Sequence, residues 1–147
     1  MGFAFAFEAV LRLRRSQQRQ QELLLQKANE EVNAALREVR TIAQQFAQIA
    51  SSFRLDSDLR ASELHFNQML CRALEERRQK GEERLAKFRG EQAALAAELR
   101  KVWRQREVLE ALRRRHYQTY LLEQSRREQR TQDDVFLSHQ RYLRNTN

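Results

Sequence analysis

The chain contains no proline among its 147 residues, and its only glycines are Gly2, Gly81 and Gly90. A globular sequence of this length would hold about seven prolines and ten glycines. Both residues end helices and make turns, so their scarcity leaves few places for loops and argues against a compact globule of many elements. Cys71 is the single cysteine, which excludes an intramolecular disulfide and sets the expectation of a reducing, cytoplasmic setting. No run approaches the roughly 18 apolar residues of a membrane-spanning helix. Met1–Val10 is apolar, but Glu8 interrupts it and Arg12, Arg14 and Arg15 follow, with no charged leader before and no cleavage site after. It does not read as a secretory signal. Metal-protease, paired-cysteine and calcium-loop spacings are missing, as is a glycine-rich loop that would cradle phosphate. His65, His116 and His139 lie too far apart in sequence and helical phase to make a local ligand cluster. Two helices enclose no substrate cavity. The expectation is therefore no metal, no cofactor, no catalytic residue and no enzyme.

What is present is charge and helix-forming side chains. Charged residues make up 33% of the chain, and Ala, Leu, Glu, Gln and Arg dominate. These are strong helix formers, so the class is all-α. The net charge of +8 is unevenly placed. Residues 1–53 carry seven Lys/Arg against five Asp/Glu, residues 54–98 nine of each, and residues 99–147 twelve against six. The basic excess belongs to the last third, with a smaller group, Arg12, Arg14, Arg15 and Arg19, near the N-terminus.

From Leu25 an alternating three-four step runs through Ala28, Val32, Ala35, Val39, Ile42, Phe46, Ile49 and Phe53. A spacing of 3.5 is the seam of a left-handed coiled coil, since it keeps one narrow stripe facing a partner. Traced backwards it reaches Phe7 and Leu11, with Arg14, Gln18 and Gln21 interrupting. A second seam reads Phe66, Leu70, Ala73, Arg77, Gly81, Leu85, Phe88, Gln92, Leu95, Leu99, Val102, Arg106 and Leu109. It weakens over residues 75–84, where charges occupy the stripe and a kink or stutter is anticipated. Between the seams, Asp56, Ser57 or Asp58 is a credible N-cap. The reading is a single antiparallel coiled-coil hairpin over residues 1–147: helix 1 about 8–53, a turn about 54–57, and a longer helix 2 about 58–140. With the turn near 55–56, facing residue numbers add to about 111. Phe7 then falls near Trp103, Phe46 near Phe66, and Arg14, Gln18 and Gln21 near Ala97, Ala93 or Ala94, and Gly90. Arg77 falls opposite Ala34 or Ala35.

Past residue 104 this register leaves helix 2 without a partner, so Leu109, Leu112, Tyr117, Tyr120, Leu121, Val135, Phe136, Leu137 and Tyr142 would be uncovered. Exposed stripes of that size mark interaction surfaces, although a longer helix 1, self-association or disorder would also account for them. The run Arg113-Arg114-Arg115 reads as a solvated face, a surface for an acidic protein, or a non-specific phosphate contact. Interleaved Glu107, Glu110, Glu123 and Glu128 dilute the last.

Three segments resemble a known family. Phe3-x-Phe5-x-Phe7-Glu8-x-Val10-Leu11-Arg12-Leu13-Arg14 is similar to the opening of the flagellar export protein FliJ family. Gln105 to Arg113, built around Leu109-Glu110-x-Leu112, resembles its second signature, and Arg126-Arg127-Glu128-Gln129 with Asp133 its C-terminal one. The chain departs from the pattern in its Gln-rich stretch 16–26, in Phe7 and in Trp103. The resemblance implies a non-enzymatic stalk of the flagellar type III export apparatus, similar to the coiled-coil stalk of rotary ATP synthases. Its implied partners are the export ATPase hexamer, the cytoplasmic domain of the export-gate membrane protein, and export chaperones. It would be held at the cytoplasmic face of the inner membrane through those proteins, without inserting and without specific nucleic acid. The equivalent stalk of a virulence secretion system, a basic nucleic-acid-associated coiled coil and a generic scaffold or tether are the alternatives. By the stalk likeness, the expected ATPase-ring contacts are Arg12, Arg14, Arg15, Arg19, Arg104, Arg106, Leu109, Leu112, Arg113, Arg114, Arg115 and Tyr120. The expected gate contacts, near the turn, are Phe46, Phe53, Phe66, Met69 and Leu70.

Overall fold

The computed structural model describes residues 2–55 and 60–145. They form two helices packed antiparallel as a hairpin, α1 (Glu8–Leu55) and a longer α2 (Ala61–Asn145). Residues 2–7, ahead of α1, are non-helical.

Each helix start follows from local chemistry. At α1 the Phe5 carbonyl accepts a bond from the Glu8 N–H (3.1 Å) and the Phe7 carbonyl one from Leu11 (2.9 Å). Glu8 places its carboxylate in the first turn, at the positive end of the helix dipole. At α2 the Arg60 carbonyl accepts from Glu63 and Leu64. The Glu63 carboxylate reaches back to the Arg60 N–H at 3.2 Å, the acidic half of a capping box. The N-caps expected at Asp56, Ser57 or Asp58 lie outside the described residues.

The chain groups into two compact units: a terminal unit of Met1–Gln17 with Val102–Asn147, and a loop unit of Gln18–Lys101. In the loop unit the expected α1 seam holds from Ala28 to Ile42, with Ala28, Val32, Ala35 and Ile42 buried, whereas Phe46, expected on it, is exposed. Val32, Ala35 and Leu85 form one cluster, packed by Leu36 and Phe88. Gly81 sits opposite: a Cβ there would lie 3.2 Å from Val39 Cγ2 and 4.0 Å from Ile42 Cδ1. Its bare Cα makes room for two aliphatic side chains of α1.

Two sequence expectations are corrected. The first is the pairing register. In the loop unit Asn29 faces Gln92, whose Nε2 donates to Asn29 Oδ1 at 2.6 Å, and Glu38 faces Arg84 at 3.2 Å. In the terminal unit Phe3 faces Tyr117, Phe5 faces His116, and Glu8 faces Arg113. In both units the facing residue numbers add to about 121, so the helices are slid ten residues from the expected pairing. The axis of pairing lies near residue 60 instead of 55–56, and moving the axis by five moves every partner by ten. The matching of Arg14, Gln18 and Gln21 to Ala97, Ala93 or Ala94 and Gly90 lapses with it. A Cβ on Gly90 would meet nothing within 4 Å. Trp103 is exposed and not opposite Phe7, whose ring instead lies beside Phe5.

The second is the early seam of α2. Leu74 is buried, and Cys71 and Asn67 are half-buried, while Phe66, Leu70, Ala73 and Arg77 are exposed. The three-four alternation runs unbroken from Leu85 through Gly81 and Arg78 to Leu74. The expected stripe took three consecutive four-residue steps there, a slip of one residue or about 100° of helix. No stutter is needed, and the slip turns Phe66 and Leu70 outward.

Candidate functional site

In the terminal unit the alternate phenylalanines 3, 5 and 7 precede the first helical turn. The turn closed by the Glu8 N–H on the Phe5 carbonyl separates them, leaving Phe5 buried and Phe7 exposed. Phe5 is buried, its ring edge-on to His116 (centroids 5.7 Å) and to Phe7 (5.8 Å). Phe3 sits edge-on to Tyr117 at 5.2 Å and tilted to Tyr120 at 5.7 Å. Such pairs are worth about 0.5–1.5 kcal/mol each beyond burial. Tyr117 and Tyr120, expected to have no intrachain partner, are thus covered in part by the N-terminal segment. Leu109 and Leu112 are half-buried, also against expectation. The reason is the register: α1 and its leading segment reach further along α2.

The same register pairs two arginines with carboxylates across the hairpin, and two more find partners within their own helix. Arg113 Nε lies 3.2 Å from Glu8 Oε2, and Arg15 Nε lies 3.2 Å from Glu110 Oε1. Arg106 approaches Glu110 at 3.7 Å and Glu107 at 2.7 Å. Arg14 Nη1 donates to Gln17 Oε1 at 3.0 Å. These pairs are partly exposed, so each contributes only a few tenths to about 1 kcal/mol. Their effect is orientation. Arg14, Arg15, Arg106 and Arg113 are half-buried along the helix contact, while Arg12, Arg104, Arg114 and Arg115 point to solvent. Arg19, also exposed, belongs to the loop unit. A cavity of about 240 Å³ in the terminal unit is lined by Phe3, Glu110, Arg113, Arg114 and Tyr117. Two helices alone do not form it. The non-helical segment supplies one of its two aromatic walls, Phe3, which a heptad pattern does not reveal.

Beyond Tyr120 every described residue is exposed. Continuing the α1-facing stripe of α2 brings Glu123, Arg127, Arg130, Asp134, Leu137 and Arg141 into line, five of the six charged. Leu121, Leu122, Val135 and Phe136 fall on another face. Near the loop, Phe66 is 65% and Met69 60% exposed. Phe46 and Leu70 are marginally exposed and Phe53 is half-buried. All five expected gate residues belong to the loop unit, with Phe66 and Met69 the most exposed of them.

Among the described residues there is no group of His, Cys, Asp and Glu able to hold a metal, and no helix long and apolar enough to cross a membrane. Compared with known families, residues 3–147 match the model described as FliJ, flagellar FliJ protein. No curated protein and no solved structure matches the chain.

Proposed function

Because the chain belongs to the flagellar FliJ protein family, we propose that it is the stalk of the flagellar export machinery, engaging the export ATPase hexamer, the cytoplasmic domain of the export gate, and export chaperones. That it is a flagellar export-related coiled-coil protein rests on the family match, which spans both units. The partners are the proposal, and the carrying observation is that one match across nearly the whole chain.

On this reading the terminal unit docks on the ATPase ring. Arg12, Arg104, Arg114 and Arg115 supply long-range attraction, which speeds encounter and weakens with salt. Arg15 and Arg113 pair across the hairpin with Glu110 and Glu8, and these two, with the half-buried Arg14 and Arg106, reach the ring only through their exposed portions. Leu109 and Leu112, half-buried, and Tyr120, beside Phe3, support that surface. Adding the purified chain to the export ATPase should raise its hydrolysis rate, more at low salt than at high. No change in rate at any salt concentration would remove the ATPase from the reading.

The loop unit is the proposed gate-binding element. Phe66 and Met69 are large apolar side chains held in water, and such residues carry binding energy when a partner buries them. Replacing both by alanine should weaken binding of the gate's cytoplasmic domain about tenfold or more with helicity unchanged. Unaltered binding in a titration would take them out of the contact.

A further inference from the structure

The cavity in the terminal unit has unbalanced chemistry. Its one acidic wall residue, Glu110, is already shared between Arg15 at 3.2 Å and Arg106 at 3.7 Å. On the basic side, Arg113 Nε is buried without a well-directed hydrogen bond, although Glu8 lies 3.2 Å away. Arg114 is exposed at the rim. Phe3 and Tyr117 form the remaining walls, set edge-on by the N-terminal segment. Glu110 is thus engaged within the chain and Arg113 shares its charge with Glu8, so among the described residues Arg114 is the lining cation without a carboxylate partner, set beside two rings.

We infer that this cavity receives a carboxylate side chain of a partner's acidic peptide, with an apolar neighbour of that residue lying against Phe3 and Tyr117. The guanidinium fork matches a planar carboxylate, and charge-assisted bonds of this kind are among the stronger ones. At roughly 30 Å³ per water, a space of about 240 Å³ holds a glutamate side chain and part of an aliphatic one, not a folded element. The aromatic walls favour a peptide over a bare inorganic anion, which would leave them unfilled. The inference rests on reading the terminal unit as a protein-docking surface, and it adds the ligand chemistry and the role of residues 2–7: without Phe3 the cavity loses a wall.

The test is an NMR titration of the full chain with the blocked dipeptide acetyl-Leu-Glu-amide. The Nε–H signals of Arg113 and Arg114 and the ring signals of Tyr117 should shift, whereas acetyl-Leu-Gln-amide should leave them in place. Phe3→Ala and, separately, Arg114→Gln should each weaken the Glu dipeptide about tenfold with the helical signal retained. Absent shifts, equal shifts with the Gln dipeptide, or the same shifts with inorganic phosphate at equal concentration would each overturn the proposal. ATPase stimulation by Phe3→Ala separates this inference from the broader reading. Lost peptide binding with stimulation intact would overturn the cavity as a docking element while leaving the stalk function standing.

Discussion

Replacing Ile42 by alanine is expected to lower the unfolding free energy by about 3 kcal/mol. Ile42 is only 1% exposed, and its Cδ1 lies over the bare Cα of Gly81, where a Cβ would come within 4.0 Å. Truncation therefore removes the isoleucine's buried contacts and leaves a void beside a residue with no side chain to fill it. Collapse would require the two backbones to move together, so the site relaxes poorly and the cavity persists. Phe46, one turn on in the same seam, is 38% exposed, and Phe46→Ala should cost about 1 kcal/mol or less. Urea unfolding followed by helical circular dichroism separates the two. The register fails the test if Phe46→Ala destabilises as much as Ile42→Ala, because that would place Phe46 in the core and shift Gly81 off it.

Reversing Arg114 and Arg115 together to glutamate is expected to abolish most of the stimulation of the export ATPase at low salt, with at least a tenfold loss of apparent affinity. Both side chains are exposed, so neither change should disturb the hairpin. Arg113 is deliberately left out. Its guanidinium lies 3.2 Å from the Glu8 carboxylate, and a glutamate there would set two carboxylates together at the start of α1. Loss of stimulation in a triple reversal could then reflect loosening of the N-terminal segment instead of a lost contact. With the double variant the charges change and the fold should not. The difference from the unaltered chain should narrow as salt shortens the screening length from about 10 Å at 0.1 M towards 3 Å at 1 M. Full stimulation by the double variant at low salt would remove these residues from the ATPase contact and leave the loop unit as the place to look.

The sequence alone determined the helical class, the two helices and their inequality, the apolar stripe of α1 and the family. Those features are local or periodic: absent proline, strong helix formers, and a 3.5-residue spacing legible from Leu25 to Phe53 without knowledge of what it faces. The tertiary structure decided what faced what. A seam meets a seam again after every half-heptad of sliding, so a shift of ten residues, about three layers, still sets apolar against apolar. No glycine or proline marks the turn to break that degeneracy. Charged residues 75–84 hid the phase of α2, and only burial of Leu74 and Gly81 shows that the alternation never slips. Which arginines face water depends on the same long-range pairing. Arg113 and Arg114 are neighbours of identical type in the sequence, yet one lies beside Glu8 across the hairpin and the other is turned outward, because a helix rotates about 100° between them.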